Sequence, residues 1–274
     1  MGDEFDNLEE YEKQELLKKL KATWTYNSNA IEGNTLTEGD TTFIIENGLT
    51  VQGKSLAEHN QVVGHMKAID LIYKLLDKNT INEEDLFLLH KAIQTEHLVD
   101  YERPNGAYKV LPNGRWQKVD GKDKHFYYPH PDFVPHLMRL WLKEFGDISK
   151  PIASREDAVK VYTDMHISFT GIHPFWDGNG RLARLVSNLP LLKSSYLPII
   201  IDNRDKEEYK QLQFKYQQKC ELGSETRQLI NRALPEYQKL LIFFDAQYEH
   251  ALDLLNEIKE SKKRLDKTIT SPSS

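Results

Sequence analysis

Apolar residues recur at helical spacing along almost the whole chain, and this periodicity restricts the possible folds more than any other feature. The clearest case is His59–Leu76, in which Val62, Ile69 and Ile72 belong to one apolar stripe. The same spacing predicts further helices over Leu8–Lys21, Glu83–Ile93, Pro135–Phe145 and Arg155–Phe169, and again after Tyr209. Asn82 is the predicted cap of the helix that begins after it. The sequence therefore predicts a mostly helical protein.

The stretch Ala107–Tyr128 departs from this pattern and carries the signals of β-strands. It contains two dipeptides that close tight hairpin turns, Asn113-Gly114 and Asp120-Gly121. Either turn would join two short strands, so the sequence predicts one hairpin and leaves open which strands form it. The predicted fold class is all-α with one inserted β-hairpin.

The overall charge and the lack of long apolar runs narrow the class of protein. The formal net charge is -6, whereas a sequence-independent nucleic-acid binder needs a basic surface. No apolar run approaches the roughly 20 residues that span a bilayer, and the acidic first residues do not resemble a secretory signal. The single cysteine, Cys220, cannot form a disulfide within the chain. We therefore expect a soluble, cytoplasmic protein with neither a membrane nor a nucleic acid as partner.

The segment that carries chemistry comprises residues 173–184, which read HPFWDGNGRLAR. His173 supplies a proton acceptor that works near neutral pH. Asp177 supplies a hard oxygen ligand of the kind that Mg²⁺ takes together with substrate phosphates. Neither residue is informative alone, because a histidine before a proline is most often a structural loop residue.

The second half of this segment predicts an anion site. Gly178 and Gly180 lie where a helix begins, and its first N–H groups and positive dipole end are suited to phosphate. Arg181 and Arg184 are three positions apart, so both guanidinium groups project from nearby positions on that helix. These features together predict an enzyme that acts on nucleotide phosphates. The chain lacks the GxxxxGK[ST] loop, so it does not use the P-loop solution.

These residues resemble the signature of the Fic (Fido) family, HxFx(D/E)GNGRxxR, and match it at every fixed position. The wider resemblance covers roughly Asn27 to Leu212 and includes the hairpin. It implies a Fic fold, in which a helical core carries the hairpin as an inserted flap. On this basis residues 1–80 form an N-terminal helical region with an inhibitory motif, residues 81–213 form the Fic catalytic core, and residues 214–274 form a C-terminal helical extension.

The resemblance also implies an activity, which is transfer of AMP from ATP, with Mg²⁺, to a Ser, Thr or Tyr hydroxyl of a target protein. His173 would be the base that takes the hydroxyl proton, and Asp177 would hold Mg²⁺ against the α- and β-phosphates. Backbone N–H groups around Gly178 and Gly180, together with Asn179, would stabilise charge on the α-phosphoryl group.

The remaining site residues take their expected roles from the same resemblance. Arg181 and Arg184 would hold the outer phosphates as pyrophosphate leaves, and Tyr209 would lie beside the adenine. Tyr216 stands where close relatives carry asparagine, so no role is carried over to it. The hairpin would dock the main chain of the target by strand addition. ATP and a protein substrate bound at the flap are therefore the expected partners.

Residues 28–34 read SNAIEGN, which taken alone indicates the end of a helix with Gly33 as its cap. Beside a Fic signature, they resemble the family's inhibitory motif, [S/T]xxxE[G/N], in the class II type whose inhibitory helix lies N-terminal to the core. The resemblance implies that Glu32 pairs with Arg184 and occupies the seat of the ATP γ-phosphate. A carboxylate and a forked guanidinium suit such a pair.

Several alternatives stay open at this stage. The same motif serves phosphocholine transfer, and relatives can use the inhibitory glutamate to orient water and remove AMP. Phosphotransferase variants carry lysine in place of Gly180 and lack Arg184, so the sequence favours AMP transfer over them. A catalytically silent binding module is disfavoured by the intact His173, Asp177 and Arg184. The oligomeric state is also left open. A DNA-binding winged helix at the C-terminal end is disfavoured, because residues 226–266 lack its basic pattern.

Overall fold

The computed structural model describes residues 8–95, 101–119, 121–220 and 228–270, with side chains described up to residue 262. These residues form helices α1 Glu10–Ile31, α2 Glu38–Asn47, α3 Leu56–Leu75, α4 Glu83–Ile93, α5 Val134–Phe145, α6 Arg155–Ile172, α7 Asn179–Val186, α8 Leu189–Lys193, α9 Lys206–Cys220 and α10 Pro235–Thr270, and strands β1 Gly114–Val119 and β2 Lys122–Tyr127. In this part of the chain the only sheet is the β1–β2 hairpin. The predicted fold class, all-α with an inserted hairpin, is confirmed.

The helices predicted by range are all present, and their ends follow local chemistry. Asn82 caps α4 as predicted, because its Oδ1 accepts the N–H of Asp85 at 3.0 Å. α1 continues well past the predicted end at Lys21 and stops at Ile31, since buried Trp24 and Ile31 extend its apolar face.

The periodicity does not predict α2, although the start of this helix carries a capping box. The Thr37 hydroxyl accepts the N–H of Asp40 at 3.1 Å, and the Asp40 carboxylate accepts the N–H of Thr37 at 2.9 Å. The buried residues of α2 are Thr41 and Ile44. With so small an apolar face, the helical pattern is too weak to see in the sequence.

The register of the hairpin shows which of the two predicted turns joins its strands. The antiparallel strands close at the Val119–Lys122 pair, so residues 120–121 connect them. Gly121 has a φ of 77°, which glycine adopts without steric cost, and Asp120 lies outside the described residues. The Asn113-Gly114 dipeptide is not the hairpin turn, because its glycine is already the first residue of β1.

α6 is the central helix of the core. Every residue from Tyr162 to Ile172 is buried, and α6 contacts α5, α7, α8 and α10. α7 is buried as well, from Arg181 to Val186. The loop of residues 173–178 is therefore fixed at both ends by helices that cannot move without disturbing the core.

α1 carries the N-terminal segment across the core to this loop. Its buried face includes Leu16, Leu20, Trp24, Ser28 and Ile31, which are spaced three or four positions apart. Full burial of each large apolar side chain stabilises the fold by about 1.5–3 kcal/mol. α1 contacts α2, α3, α7 and α10, so packing on several sides holds its C-terminal end beside α7.

The longest helix, α10, spans 36 residues and packs one face against the core. Tyr237, Leu240, Phe244 and Tyr248 are buried along that face. Within the described ranges, no helix combines the length and the apolar character that crossing a bilayer requires.

Candidate active site

The loop of residues 173–178 begins with a strained turn. α6 ends at Ile172, and His173 then adopts the left-handed conformation with φ 52° and ψ 59°. The N–H of His173 donates to the carbonyl of Phe169 at 2.9 Å, which closes the turn. A positive φ is uncommon for residues other than glycine and costs roughly 1–2 kcal/mol. The fold thus holds the predicted base in a conformation typical of functional sites.

Backbone and side-chain donors from the segment before β1 hold the first half of this loop. The N–H of Lys109 donates to the carbonyl of Pro174 at 2.9 Å. The side-chain amide of Asn113 donates to the carbonyls of Phe175 at 3.1 Å and Trp176 at 3.2 Å. These bonds fix the loop carbonyls in one arrangement, because buried carbonyl groups need partners.

Two further side chains hold the rest of the loop. The Asn179 amide accepts the N–H of Phe175 at 2.9 Å and donates to its carbonyl at 2.8 Å. His90 Nε2 lies 3.1 Å from the carbonyl of Asp177, and His90 Nδ1 accepts the N–H of Gly106 at 2.9 Å. His90 therefore donates through Nε2 to the loop. The Asn179 side chain, which the sequence assigns to the phosphoryl group, is occupied by the loop backbone.

The His173 imidazole is held in one tautomer. Its Nδ1 lies 3.3 Å from the carbonyl of Thr170, which can only accept, so Nδ1 carries the proton and Nε2 has a free lone pair. The Tyr128 ring stacks on the imidazole at 3.6 Å with an interplanar angle of 2°. Burial, together with the positive charge of Lys109, lowers the pKa of His173 to about 3, against the opposing effect of Asp177. The imidazole is therefore neutral at physiological pH.

Asp177 presents an ionised carboxylate at the surface of the site. Its side chain is 60% exposed, and one oxygen accepts from Arg181 at 3.0 Å and from Gln94 at 3.4 Å. Partial burial acts to raise the pKa of Asp177, but Arg181 and the N–H of Gly178 outweigh it and lower the pKa. The described residues contain no cluster of three or more His, Cys, Asp or Glu that could hold a metal alone. A metal bound at Asp177 would need ligands from a substrate.

The start of α7 lies where the sequence predicts an anion site. Its first internal hydrogen bond runs from the N–H of Leu182 to the carbonyl of Gly178 at 2.9 Å. The N–H groups of Asn179, Gly180 and Arg181 precede that bond and form the positive end of the helix dipole. The Gly178 φ of 77° allows the tight entry into the helix.

Arg184 is buried and bonded on every side. Its Nε donates to the Ser28 hydroxyl at 3.0 Å, and its Nη2 donates to the Ser28 carbonyl at 2.9 Å and to Glu32 Oε1 at 2.7 Å. Its Nη1 lies 3.4 Å from the hydroxyl of Tyr209. The predicted ion pair between Glu32 and Arg184 is present.

The Glu32 carboxylate lies directly above the first turn of α7. A Cβ atom on Gly180 would approach Glu32 Oε1 to 2.6 Å, so the carboxylate fits because this position is glycine. Burial acts to raise the pKa of Glu32, but the charges of Arg184, Arg181 and Lys210 lower it. The Lys210 ammonium also donates to the carbonyl of Ile31 at 2.8 Å, which ties α9 to the end of α1.

One cavity of about 380 Å³ collects these groups, a size within the usual range for small-molecule sites. It is lined by Glu32, Gly114, Arg115, Trp116, Gln117, Tyr128, Thr170, His173, Asp177, Gly178, Asn179, Gly180, Arg181, Arg184, Tyr209, Lys210, Gln213 and Gln217. All the site residues named from the sequence are among them. Strand β1 contributes to the wall of the cavity.

Comparison with known proteins identifies the domain that surrounds this cavity. Residues 80–191 match the family described as the Fic/DOC family. The chain contains a Fic/DOC family domain. The matched residues include the loop, all of α7 and the hairpin.

Named relatives of the Fic domain extend over more of the chain. The chain is 28% identical over 214 residues to protein adenylyltransferase fic-1 of Caenorhabditis elegans and 30% identical over 190 residues to protein adenylyltransferase Fic of Nematostella vectensis. These matches cover 76% and 67% of this chain, but only 39% and 40% of those proteins. The chain thus spans about two fifths of the length of these relatives.

A solved structure matches the Fic fold over nearly the whole chain. A Fic-domain-containing signalling protein from Bacteroides thetaiotaomicron superposes with a TM-score of 0.77 at 26% identity, covering 92% of both chains. A fragment of Fic-1 from C. elegans superposes with a TM-score of 0.68 at 23% identity, covering 96% of this chain and 69% of the fragment. The N-terminal and C-terminal helices therefore belong to the same overall fold as the Fic core.

Two aromatic residues that follow the matched region, Tyr209 and Tyr216, lie in different surroundings. Tyr209 is buried beside Arg184, and its hydroxyl lies 2.9 Å from His166 Nε2. Tyr216 does not line the cavity with Tyr209, and its hydroxyl accepts the backbone N–H of Asn231 at 2.8 Å. The structure therefore places Tyr209 in the site and directs the hydroxyl of Tyr216 to the segment before α10.

Other residues that hold the site were missed by sequence reasoning. Lys109, Asn113 and His90 act on the loop from distant positions, and no local pattern marks them. Asn113 was assigned to a possible hairpin turn, so nothing in the sequence indicated that it contacts the loop. Ser28 had a signal, because it is the first residue of the SNAIEGN segment.

Proposed function

We propose that this chain is a protein adenylyltransferase that moves AMP from ATP to a Ser, Thr or Tyr hydroxyl of a target protein. One arrangement carries the proposal: a neutral imidazole acceptor at His173 and the open N-terminus of α7 line the same cavity as two arginines. The names of the relatives support it, since both are protein adenylyltransferases.

The residues divide the work of the transfer. His173 Nε2 accepts the proton of the target hydroxyl while the hydroxyl oxygen attacks the α-phosphorus of ATP. The bond from the α-phosphorus to the bridging oxygen breaks, and pyrophosphate leaves. N–H groups at the start of α7 stabilise the charge on the α-phosphoryl oxygens, and Arg181 and Arg184 hold the outer phosphates. A loose transition state demands positioning more than a strong base, which suits an imidazole of low pKa.

Asp177 is the residue that would hold Mg²⁺. Its exposed, ionised carboxylate fits the ion, which commonly takes one or two protein carboxylates and completes its shell with phosphates and water. When bound, Mg²⁺ neutralises negative charge on the phosphates. Arg181, bonded to the same carboxylate, keeps it ionised and oriented toward the cavity.

Glu32 is proposed to inhibit the enzyme from within the chain. Its carboxylate occupies the Nη2 of Arg184 and brings negative charge to the place where an outer phosphate needs a positive partner. ATP could still enter, but its triphosphate would lose Arg184 and shift. A displacement of about 1 Å can lower a rate on the order of 10²-fold.

Labelled ATP tests the activity and the inhibition together. We expect Glu32→Gly to label protein in whole lysate, or itself, well above wild type. The double variant Glu32→Gly/His173→Ala should return labelling to background, because the gain runs through the same cavity. Glu15→Gly, an exposed position earlier on α1, is the matched control and should behave as wild type. Equal labelling by wild type and Glu32→Gly would contradict the inhibitory role.

Removal of AMP from a modified protein is the second candidate function. Oε1 of Glu32 pairs with Arg184, whereas Oε2 has no hydrogen-bond partner among the described residues and the side chain is 38% exposed. That oxygen is available to orient a water molecule. Release of AMP from an adenylylated protein by wild type, lost in Glu32→Gly, would support this function. Labelled CDP-choline in a parallel reaction tests phosphocholine transfer.

The hairpin is proposed to be the docking site for the target. Gly114, Arg115, Trp116 and Gln117 of β1 line the cavity, so an extended segment added to that strand would pass close to His173.

The domain boundaries at residues 80 and 213, the cytoplasmic location and a homo-oligomer stay predictions from the sequence. So does the absence of membrane and nucleic-acid partners.

A further inference from the structure

Lys109 is a buried lysine, and no acidic side chain in the described part of the chain pairs with it. Its residue is 2% exposed, and among the described residues its ammonium group has one hydrogen-bond acceptor, Asn113 Oδ1 at 2.7 Å. Lysines are almost never fully buried unless paired with a charge, because an unpaired ammonium is costly to desolvate. Burial lowers the pKa of Lys109 to about 7. A position this unfavourable for stability calls for another explanation.

The ammonium of Lys109 sets the orientation of Asn113. Because Nζ can only donate, it selects Oδ1 of the amide and leaves the Nδ2 end for the loop. Nδ2 then donates to the carbonyls of Phe175 and Trp176. The backbone N–H of Lys109 donates to Pro174 as well. One lysine thus governs the hydrogen bonds to three successive loop carbonyls that follow His173.

Lys109 also acts on the aromatic ring that covers the base. Its Nζ lies 5.7 Å from the centroid of the Tyr128 ring, within the range of a cation–π contact. The same ring stacks on the His173 imidazole at 3.6 Å. The N–H of Tyr128 donates to the carbonyl of Asn113 at 3.1 Å, which locks the ring to the segment that Lys109 organises.

The charged and polar groups around His173 act in opposite directions. Lys109 and Arg115 disfavour the imidazolium, while Asp177 and the carbonyl of Thr170 favour it. Tyr128 is uncharged, because burial raises the pKa of its hydroxyl. After burial, Lys109 has the largest effect on the protonation of His173.

We propose that Lys109 is a positioning residue for the transfer reaction: its ammonium group orients Asn113 and Tyr128 and, through them, holds the catalytic loop and the neutral imidazole of His173. Its effect on rate rests on the proposed function. Its effect on the imidazole does not, and the two can be measured separately.

Two substitutions separate the hydrogen bond from the charge. Lys109→Met removes both, whereas Lys109→Gln keeps a donor for Asn113 and removes only the charge. Lys160→Met, at an exposed position on α6, is the matched control and should change nothing. The full chain labelled with ¹⁵N-histidine reports the titration midpoint and the tautomer of His173 by NMR, with His173→Ala used for assignment.

We expect Lys109→Met to raise the titration midpoint of His173 and to weaken its single tautomer. In the Glu32→Gly background its kcat should fall on the order of 10²-fold, with KM for ATP almost unchanged, because the loop loses its in-line geometry. Lys109→Gln should recover most of the kcat but keep the raised midpoint. A purely structural role would lower the folded fraction and leave the midpoint of the folded protein in place.

An unmoved His173 midpoint in both Lys109 variants would overturn the proposal, whatever the activity. Unchanged kcat in Lys109→Met, with Glu32→Gly active, would overturn it as well. If Lys109→Met fails to fold, Lys109→Gln alone decides through the midpoint. Absence of transfer by Glu32→Gly itself would refute the proposed function, and the NMR result would still judge the contact between Lys109 and His173.

Discussion

The catalytic loop and the segment that covers it are held in contrasting ways. Each carbonyl from Pro174 to Asp177 accepts a hydrogen bond of 3.2 Å or less from a neighbouring segment or from α7. The covering segment, residues 28–32 at the end of α1, lines the cavity through Glu32, whose side chain is 38% exposed, and bonds to Arg184 through Ser28. The loop carbonyls are thus held from several elements, whereas the Glu32 carboxylate is held by its hydrogen bond to Arg184 on α7.

This contrast teaches where a change of state can occur. Rearranging the loop would break several buried hydrogen bonds at once, each leaving an unsatisfied group that costs about 1–3 kcal/mol. Moving Glu32 breaks one ion pair, whose carboxylate is 38% exposed and can be rehydrated by water. Arg184 would keep its bonds to Ser28 if only the carboxylate moved. The Glu32 carboxylate can therefore move without disturbing the residues of the loop.

The largest expected effect is the loss of the base from the loop. In the Glu32→Gly background, His173→Ala should lower transfer by about 10²–10⁴-fold, because Nε2 is the proton acceptor in the cavity. Binding of ATP, measured by calorimetry, should be nearly unchanged. His136→Ala, an exposed histidine on α5, serves as the control. Undiminished transfer by His173→Ala would rule out this role.

Asp177→Ala should cause the next largest loss, on the order of 10²-fold at any Mg²⁺ concentration, if its carboxylate is the metal ligand that we propose. Activity of Glu32→Gly and of Glu32→Gly/Asp177→Ala, titrated with Mg²⁺, measures it. Asp132→Ala, an exposed aspartate outside the cavity, is the control. Transfer that persists in EDTA would show that the carboxylate does not act through a metal.

The smallest effect concerns the stability that the cover adds. At pH 7 we expect wild type to exceed Glu32→Gln in free energy of unfolding by less than about 1 kcal/mol, given the exposure of this pair. The pKa of Glu32 is lowered in the folded protein, so its stabilisation is present above the ordinary value of about 4.3 and disappears as the pH falls through the lowered value. Urea unfolding from pH 3.5 to 7, with Glu15→Gln as control, measures this. A difference that grows on acidification would contradict the ion pair.

The sequence predicts the parts of this site that are encoded in contiguous segments. Helical periodicity, the residues 173–184 and the SNAIEGN segment are local patterns, and the pairing of Glu32 with Arg184 was implied by the resemblance of the last two to Fic-family motifs. Lys109, Asn113 and His90 were missed, because each is an isolated residue whose role arises only when distant segments meet. Local turn propensity also could not decide which of the two Gly-containing dipeptides closes the hairpin. In the structure Asn113 bonds to the loop, and the hairpin closes at residues 120–121 instead.

The positive φ of His173 has a consequence for how this protein can vary. The residue that we propose as the base also occupies a backbone position that glycine or asparagine adopts with less strain. Activity and foldedness therefore make opposing demands on one torsion angle. Replacing this histidine with asparagine could make the protein more stable, because the backbone strain would be smaller. The same substitution would remove the imidazole, so it is not open to an engineer who wants a more stable enzyme that is still active.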